Sequence, residues 1–188
     1  MSAISIIIPV YNCEKYISKT IYSVLQQTYH NYKCIIVDDG STDNTYKIIT
    51  KIVDGDKRFK IIQQKNLGEC AARNTGISLV STPYITVLDS DDIWHPNFLQ
   101  YMLDVLQKNG IDFAWCHFAM FYDGTNIRKR QPWLIFIKQE IFGGICCSIV
   151  NSVWGLGQHG QIKCVLPDLL IPRCAWLETG ISLYGCWH

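Results

Sequence analysis

Two rhythms of apolar residues alternate between residues 4 and 116 of this 188-residue chain. Short β-branched runs, Ile4-Ser5-Ile6-Ile7-Ile8-Pro9-Val10, Cys34-Ile35-Ile36-Val37 and Pro83-Tyr84-Ile85-Thr86-Val87-Leu88, have the composition of strands buried in a sheet. Phe59-Lys60-Ile61-Ile62 and Ile111-Asp112-Phe113-Ala114-Trp115-Cys116 predict further strands. Between them the spacing turns helical: Ile17, Ile21, Val24 and Leu25; Tyr46, Ile49, Ile52 and Val53; Phe98, Leu99, Met102, Leu103 and Leu106. A small-residue stretch from Glu69 to Ile77 predicts one more helix, packed closely. Strands and helices in alternation predict an α/β fold with parallel pairs, whose ligands lie beyond the carboxyl ends of the strands.

Punctuation residues place those ends. Pro9 has no N–H for a ladder, so pairing is expected to stop there and Tyr11-Asn12-Cys13-Glu14 to turn out of the sheet. Gly40 permits a sharp turn after the second strand, with Ser41 or Thr42 expected to cap the next helix. Pro96 suits a first helical turn, and Asn109-Gly110 a helix stop.

The chemistry concentrates where the strand at 83–88 ends, in Leu88-Asp89-Ser90-Asp91-Asp92. Carboxylates this close repel one another, and a divalent cation or a ring of donors is the usual remedy. Tyr11 and Asp39 are expected at the same edge of the sheet, after the first and second strands. Asp38 and Asp43 suit turn-forming or helix-start roles. His95, a loop histidine beside Trp94, is read as structural.

Composition narrows the class. Nearly half the residues are apolar, and 17 basic side chains almost balance 16 acidic ones. That describes a globular domain and gives no footprint for nucleic acid. Trp133 to Val150 is the most hydrophobic stretch, but Lys138 and Glu140 interrupt it, so no transmembrane span is expected. Met1-Ser2-Ala3-Ile4 enters a strand without a secretory pattern, and the expected location is the cytosol. The cysteines are accordingly expected reduced, with Cys13, Cys34, Cys70 and Cys116 as core filler and Cys146-Cys147 lacking metal-site spacing. Past residue 130 the alternation fails, charge thins and tryptophans gather, which divides the chain into residues 1–130 and an atypical tail, 131–188. Gly155, Gly157 and Gly160 in that tail read as loop rather than a phosphate cradle.

Four stretches together carry a resemblance: Ser5-Ile6-Ile7-Ile8-Pro9-Val10-Tyr11-Asn12, Val37-Asp38-Asp39-Gly40-Ser41-Thr42-Asp43, Ala71-Ala72-Arg73-Asn74-Thr75-Gly76 and Leu88-Asp89-Ser90-Asp91-Asp92. In order and spacing, over about residues 3 to 118, they resemble the motifs of glycosyltransferase family 2, inverting enzymes of GT-A (Rossmann-like) fold that use nucleotide sugars. The resemblance implies a nucleotide-binding set of Pro9, Tyr11, Asn12, Asp39, Arg73, Asp89 and Ser90. Tyr11 would stack on the base, Asp39 accept its ring N–H, and Arg73 face the diphosphate. Asp91 would contact Mg²⁺ or Mn²⁺, with Asp89 on the ribose or the metal. It further implies a nucleotide-sugar donor, preferably a UDP-sugar, a glycan or lipid-linked acceptor, a place in cell-surface polysaccharide or lipopolysaccharide synthesis, and a cytosolic site extending to the inner face of a membrane. The family's general base, often in a Glu-Asp pair, has no counterpart after Asp92; Asp168 and Glu178 lack its neighbours. The tail therefore reads as a disrupted ending of a longer family member, with an inactive nucleotide-sugar binder as the first alternative function. A sugar nucleotidyltransferase fits less well, because Tyr11-Asn12-Cys13-Glu14 stands where a basic Gly-rich loop is expected.

Overall fold

In a computed structural model of the chain, residues 3–109, 113–119 and 130–138 are described. Strands β1 (Ile4–Val10), β2 (Tyr32–Asp38), β3 (Phe59–Gln63) and β4 (Tyr84–Val87) run parallel, followed by β5 (Phe113–Ala119) and β6 (Arg130–Lys138). They form one sheet in the order β3-β2-β1-β4-β6-β5, with β6 antiparallel to both β4 and β5. The expected α/β fold, mixed and mainly parallel, is present. The sheet runs past the boundary expected at residue 130, because β6 begins there and sits between β4 and β5. A strand with antiparallel partners needs no following helix, so a reading based on strand and helix alternation passes over it. Residues 139–188, most of the expected tail, lie outside the described residues.

Helices α1 (Ile17–Leu25), α2 (Thr45–Ile52), α3 (Glu69–Ser78) and α4 (Phe98–Asn109) occupy the connections. Ile17, Ile21 and Val24 of α1, and Phe98, Leu99, Met102, Leu103 and Leu106 of α4, bury their apolar stripes with Ile4, Ile6, Ile8 and Val10 of β1. Ile7 points to the opposite face, beside Ile85 and Val87, where α3 lies. There α3 comes so close to β1 that a Cβ at Gly76 would stand 2.5 Å from Ile7 Cγ2. Gly76→Ala is therefore expected to destabilise the domain by about 1–3 kcal/mol through overpacking, measured by urea denaturation.

Pairing does not end at Pro9 as expected: β1 stays in register with β2 as far as Val10 opposite Asp38. In a parallel ladder alternate residues serve alternate neighbours. Ile7 O accepts from Leu88 N (2.9 Å) on the β4 side, and Val10 O accepts from Asp39 N (2.8 Å) after β2. Pro9 shares the parity of Ile7 and turns its missing donor toward β4, whose pairing with β1 stops at Ile7 opposite Val87. The ladder to β2 loses nothing, while β1 and β4 part company just before the acidic segment.

Candidate functional site

The carboxyl ends of β1, β2 and β4 bring the motif residues to one edge of the sheet. After β1, Tyr11 stands 49% exposed and Asn12 takes a left-handed conformation, φ 47°. Asn12 Oδ1 accepts from Thr42 N (2.8 Å), and Asn12 N donates to Ser41 Oγ (3.0 Å). Glu14 Oε2 accepts from Asn44 N (3.0 Å), and Glu14 N donates to Asp43 Oδ2 (3.2 Å). These bonds lace the turn after β1 to the turn after β2 and fix Tyr11 relative to Asp39. Ser41 and Thr42 are thereby drawn into the lacing, and neither caps α2: Asn44 holds the cap position, and Asp43 Oδ1 accepts from Thr45 N (2.9 Å) at the first turn.

The paired acids of the second motif divide their work. Asp38, fully buried, accepts from Ser41 N (3.0 Å) and Gln63 Nε2 (3.1 Å), the turn-forming role expected of it. Asp39, 2% exposed, accepts from Gln64 Nε2 (2.7 Å), Leu67 N (3.0 Å) and Gly68 N (2.8 Å). A carboxylate offers about four acceptor positions, so Asp39 can hold the 64–68 loop and still receive one more N–H. Gly40, φ +78°, makes that packing possible, since a Cβ there would meet Asn66 N at 2.9 Å.

Arg73 and the acids lie beside β4. Arg73, 2% exposed on α3, donates from Nη2 to Asp89 Oδ1 (2.9 Å) and to Glu69 Oε1. Asp91 is exposed, and Asp92 N closes a turn onto Asp89 O (3.1 Å). That turn, and the start of α4 at Phe98, leave Asp92 outside any capping position for the helix. Pro9 is buried in β1 and acts here by parting β1 from β4. Ser90 offers its carbonyl inward, to Thr20 Oγ1 (2.8 Å) and Cys13 Sγ (3.3 Å). His95 Nδ1 accepts from Asn97 N (3.2 Å), and Trp94 is buried against Phe98, so both take structural places. Cys13 and Cys34 are buried as expected, whereas Cys70 is exposed on α3.

Thr20, Ser23 and Gln27 matter to the site although the motifs do not contain them. Ser23 Oγ accepts from Trp94 N (3.2 Å). Gln27, fully buried, donates to Ser23 O (3.0 Å) and His95 O (2.8 Å) and accepts from Leu99 N (3.0 Å). With Thr20 on Ser90, they hold the acidic segment and the start of α4 against α1. The available signal was three polar residues continuing the spacing of the apolar stripe, Thr20 and Ser23 within α1 and Gln27 just past its end. Glu69, four residues before Arg73 on the same helix, was the other omission.

The family model for glycosyl transferase family 2 matches residues 5–154. This chain belongs to glycosyltransferase family 2. The match reaches beyond the stretch of resemblance, which ends near residue 118, and into the stretch read as tail. An uncharacterized glycosyltransferase of Haemophilus influenzae is 43% identical over 122 residues, 62% of this chain and 49% of the relative. A UDP-Glc:alpha-D-GlcNAc-diphosphoundecaprenol beta-1,3-glucosyltransferase of Escherichia coli is 38% identical over 128 residues, 67% of this chain and 49% of the relative. The chain thus spans about half the length of these two family members. A mannosyltransferase from Pyrobaculum calidifontis, solved in complex with GDP-Man and Mn²⁺, superposes with a TM-score of 0.63 at 19% identity, covering 75% of this chain and 46% of that one. At that identity the likeness establishes the GT-A fold.

The charge balance bears on a cation. Glu69 and Asp89 pair with the Arg73 guanidinium, and Asp91 and Asp92 lie close enough to Asp89 for their charges to repel. Partial loss of solvation, then repulsion from Asp89 and Asp91, pushes the Asp92 carboxyl up to about 6, although the residue still reaches solvent. Burial also raises Asp89 and Glu69, with Arg73 pulling both back down. Surplus carboxylate charge fits a hard cation of the magnesium type, which needs one or two such ligands and takes phosphate oxygens for the rest. Among the described residues no three metal-ligating side chains converge; Asp91 and Asp89 are the residues that could hold Mg²⁺ or Mn²⁺.

The Asp92 shift has a stability consequence. Its folded pKa lies above the unfolded value, so the folded state binds the extra proton at low pH, and that contribution fades as pH rises through about 6. Without divalent cations, Asp92→Asn is expected to melt higher than the parent at pH 7.5, with the gap narrowed but still open at pH 5 and closed only below the unfolded carboxylate value of about 4. Melting curves at the two pH values check this.

Proposed function

We propose that the chain supplies the donor half of a metal-dependent, inverting glycosyltransferase that transfers a sugar from a nucleotide-diphosphate sugar, preferably a UDP-sugar, to a glycan or lipid-linked acceptor. The observation that carries the reading is the meeting of Tyr11, Asp39, Arg73, Asp89 and Asp91 at the carboxyl ends of parallel strands in a family 2 chain. Tyr11 gives an aromatic face for a base, and Asp39 an acceptor for its N–H. Arg73 directs donors toward the diphosphate, and Asp89 stands between the guanidinium and the ribose. Mg²⁺ or Mn²⁺, when bound, supplies positive charge to the leaving diphosphate. The lacing of the turns after β1 and β2 holds the base end in place before ligand arrives, which spares ordering cost on binding.

The E. coli relative, named for a diphosphoundecaprenol-linked substrate, supports a lipid-linked acceptor. With such an acceptor the enzyme would work in the cytosol at the inner face of a membrane, and its product would belong to cell-surface polysaccharide or lipopolysaccharide. No helix among the described residues is long and apolar enough to cross a bilayer. Asp168 and Glu178, considered for the general base, lie outside the described residues.

Incubating the protein with UDP-, GDP- and dTDP-sugars and Mn²⁺, and measuring both binding and nucleotide release, tests the reading. Release of UDP from a UDP-sugar supports it. Binding without release selects the inactive-binder alternative, and no binding by any nucleotide sugar overturns both.

A further inference from the structure

Arg73 is held by two carboxylates of different mobility. Asp89, on a short side chain at the end of β4, is 30% exposed, whereas Glu69, on a long side chain in the first turn of α3, is 57% exposed. Both meet the same nitrogen, Nη2, of a guanidinium that is itself 2% exposed. Adding a diphosphate to this arrangement would place phosphate oxygens next to a carboxylate already using the same donor. Like charges crowded about one donor are costly, and the long, exposed side chain can leave at less cost than the short one or the buried arginine.

We propose that Glu69 is a displaceable counterion that occupies the Arg73 guanidinium in the ligand-free protein and must swing out when the donor diphosphate binds. This rests on the reading of Arg73 as the diphosphate partner. Glu69 thereby sets the donor affinity. It keeps the buried arginine paired and competes with phosphate-bearing ligands, and it discriminates against nucleotides whose phosphates are too few to displace it. Gln keeps the shape and hydrogen-bonding reach of Glu while removing the charge that competes.

The test is calorimetric titration of UDP and GDP into the full chain with Mn²⁺ at low ionic strength, for the parent, Glu69→Gln and Arg73→Gln. Glu69→Gln is expected to bind the nucleoside diphosphate about five- to tenfold more tightly, with the gain shrinking in high salt, because a repulsive charge is removed. Uridine and guanosine, which lack phosphate, should show no gain. Equal or weaker binding of the diphosphate by Glu69→Gln, while Arg73→Gln still weakens it, would overturn the counterion role and leave the Arg73 assignment standing. Unchanged binding in Arg73→Gln, or no binding by the parent, would overturn both. A melting curve for each variant verifies that it is folded.

Discussion

Asp91→Ala is expected to lower Mn²⁺-dependent affinity for a nucleoside diphosphate by about 100-fold or more while leaving the melting temperature close to that of the parent. The two halves of this expectation have separate causes. Asp91 is exposed after the strand end, and its loss opens no cavity in the core. It is nonetheless the carboxylate that the family resemblance assigns to the cation, and Asp89 is already engaged by Arg73. Titrations with and without Mn²⁺ separate the metal-dependent part. Equal affinity in variant and parent would refute the assignment of Asp91.

The other large effect belongs to a residue outside every motif. Gln27→Ala is expected to destabilise the domain by about 2–4 kcal/mol, since it strands buried partners and leaves a void. The stranded groups are Leu99 N at the start of α4 and the carbonyls of Ser23 and His95. His95 and Leu99 follow the acidic segment directly, so nucleotide affinity should fall with stability. Chemical denaturation together with a UDP titration at a temperature where the variant stays folded checks both. A variant with parental stability would show that the polar ladder of Thr20, Ser23 and Gln27 is not what fastens the segment.

How far such a site can be read from sequence depends on which forces write themselves into local pattern. The β-branched runs and the 3.6-residue stripes of α1 and α4 arise from burial against one sheet, and burial repeats with the element's own period, so those elements were legible. Asp38 could be assigned to its turn because that bond is made three residues away, to Ser41 N. Long-range partners leave no such trace. The Asn12 bonds to Ser41 and Thr42 span about thirty positions, which is why the cap of α2 was misplaced. The seat of β6 beside β4 spans still more. Pro9 shows a subtler limit: the missing donor was evident, but which neighbour it faced depends on ladder parity, and parity decided that β1 parts from β4 and not from β2. Glu69 and Gln27 escaped because single polar residues on a helix or just past its end are ordinary, and their weight comes from Arg73 and from the 90–99 loop they meet.

The claim on which everything else depends is that a cation and a nucleotide diphosphate share the edge formed by Arg73, Asp89 and Asp91. The most direct measurement is paramagnetic broadening of backbone amide signals in the ¹⁵N-labelled chain on adding Mn²⁺ with UDP, using Mg²⁺ and UDP as the diamagnetic reference. Broadening centred on residues 89–92, extending to Glu69 and Arg73 and sparing Lys33, Lys57 and Lys60 at the amino ends of β2 and β3, is the predicted result. Broadening centred elsewhere, or the same pattern in Asp91→Ala as in the parent, would contradict the account.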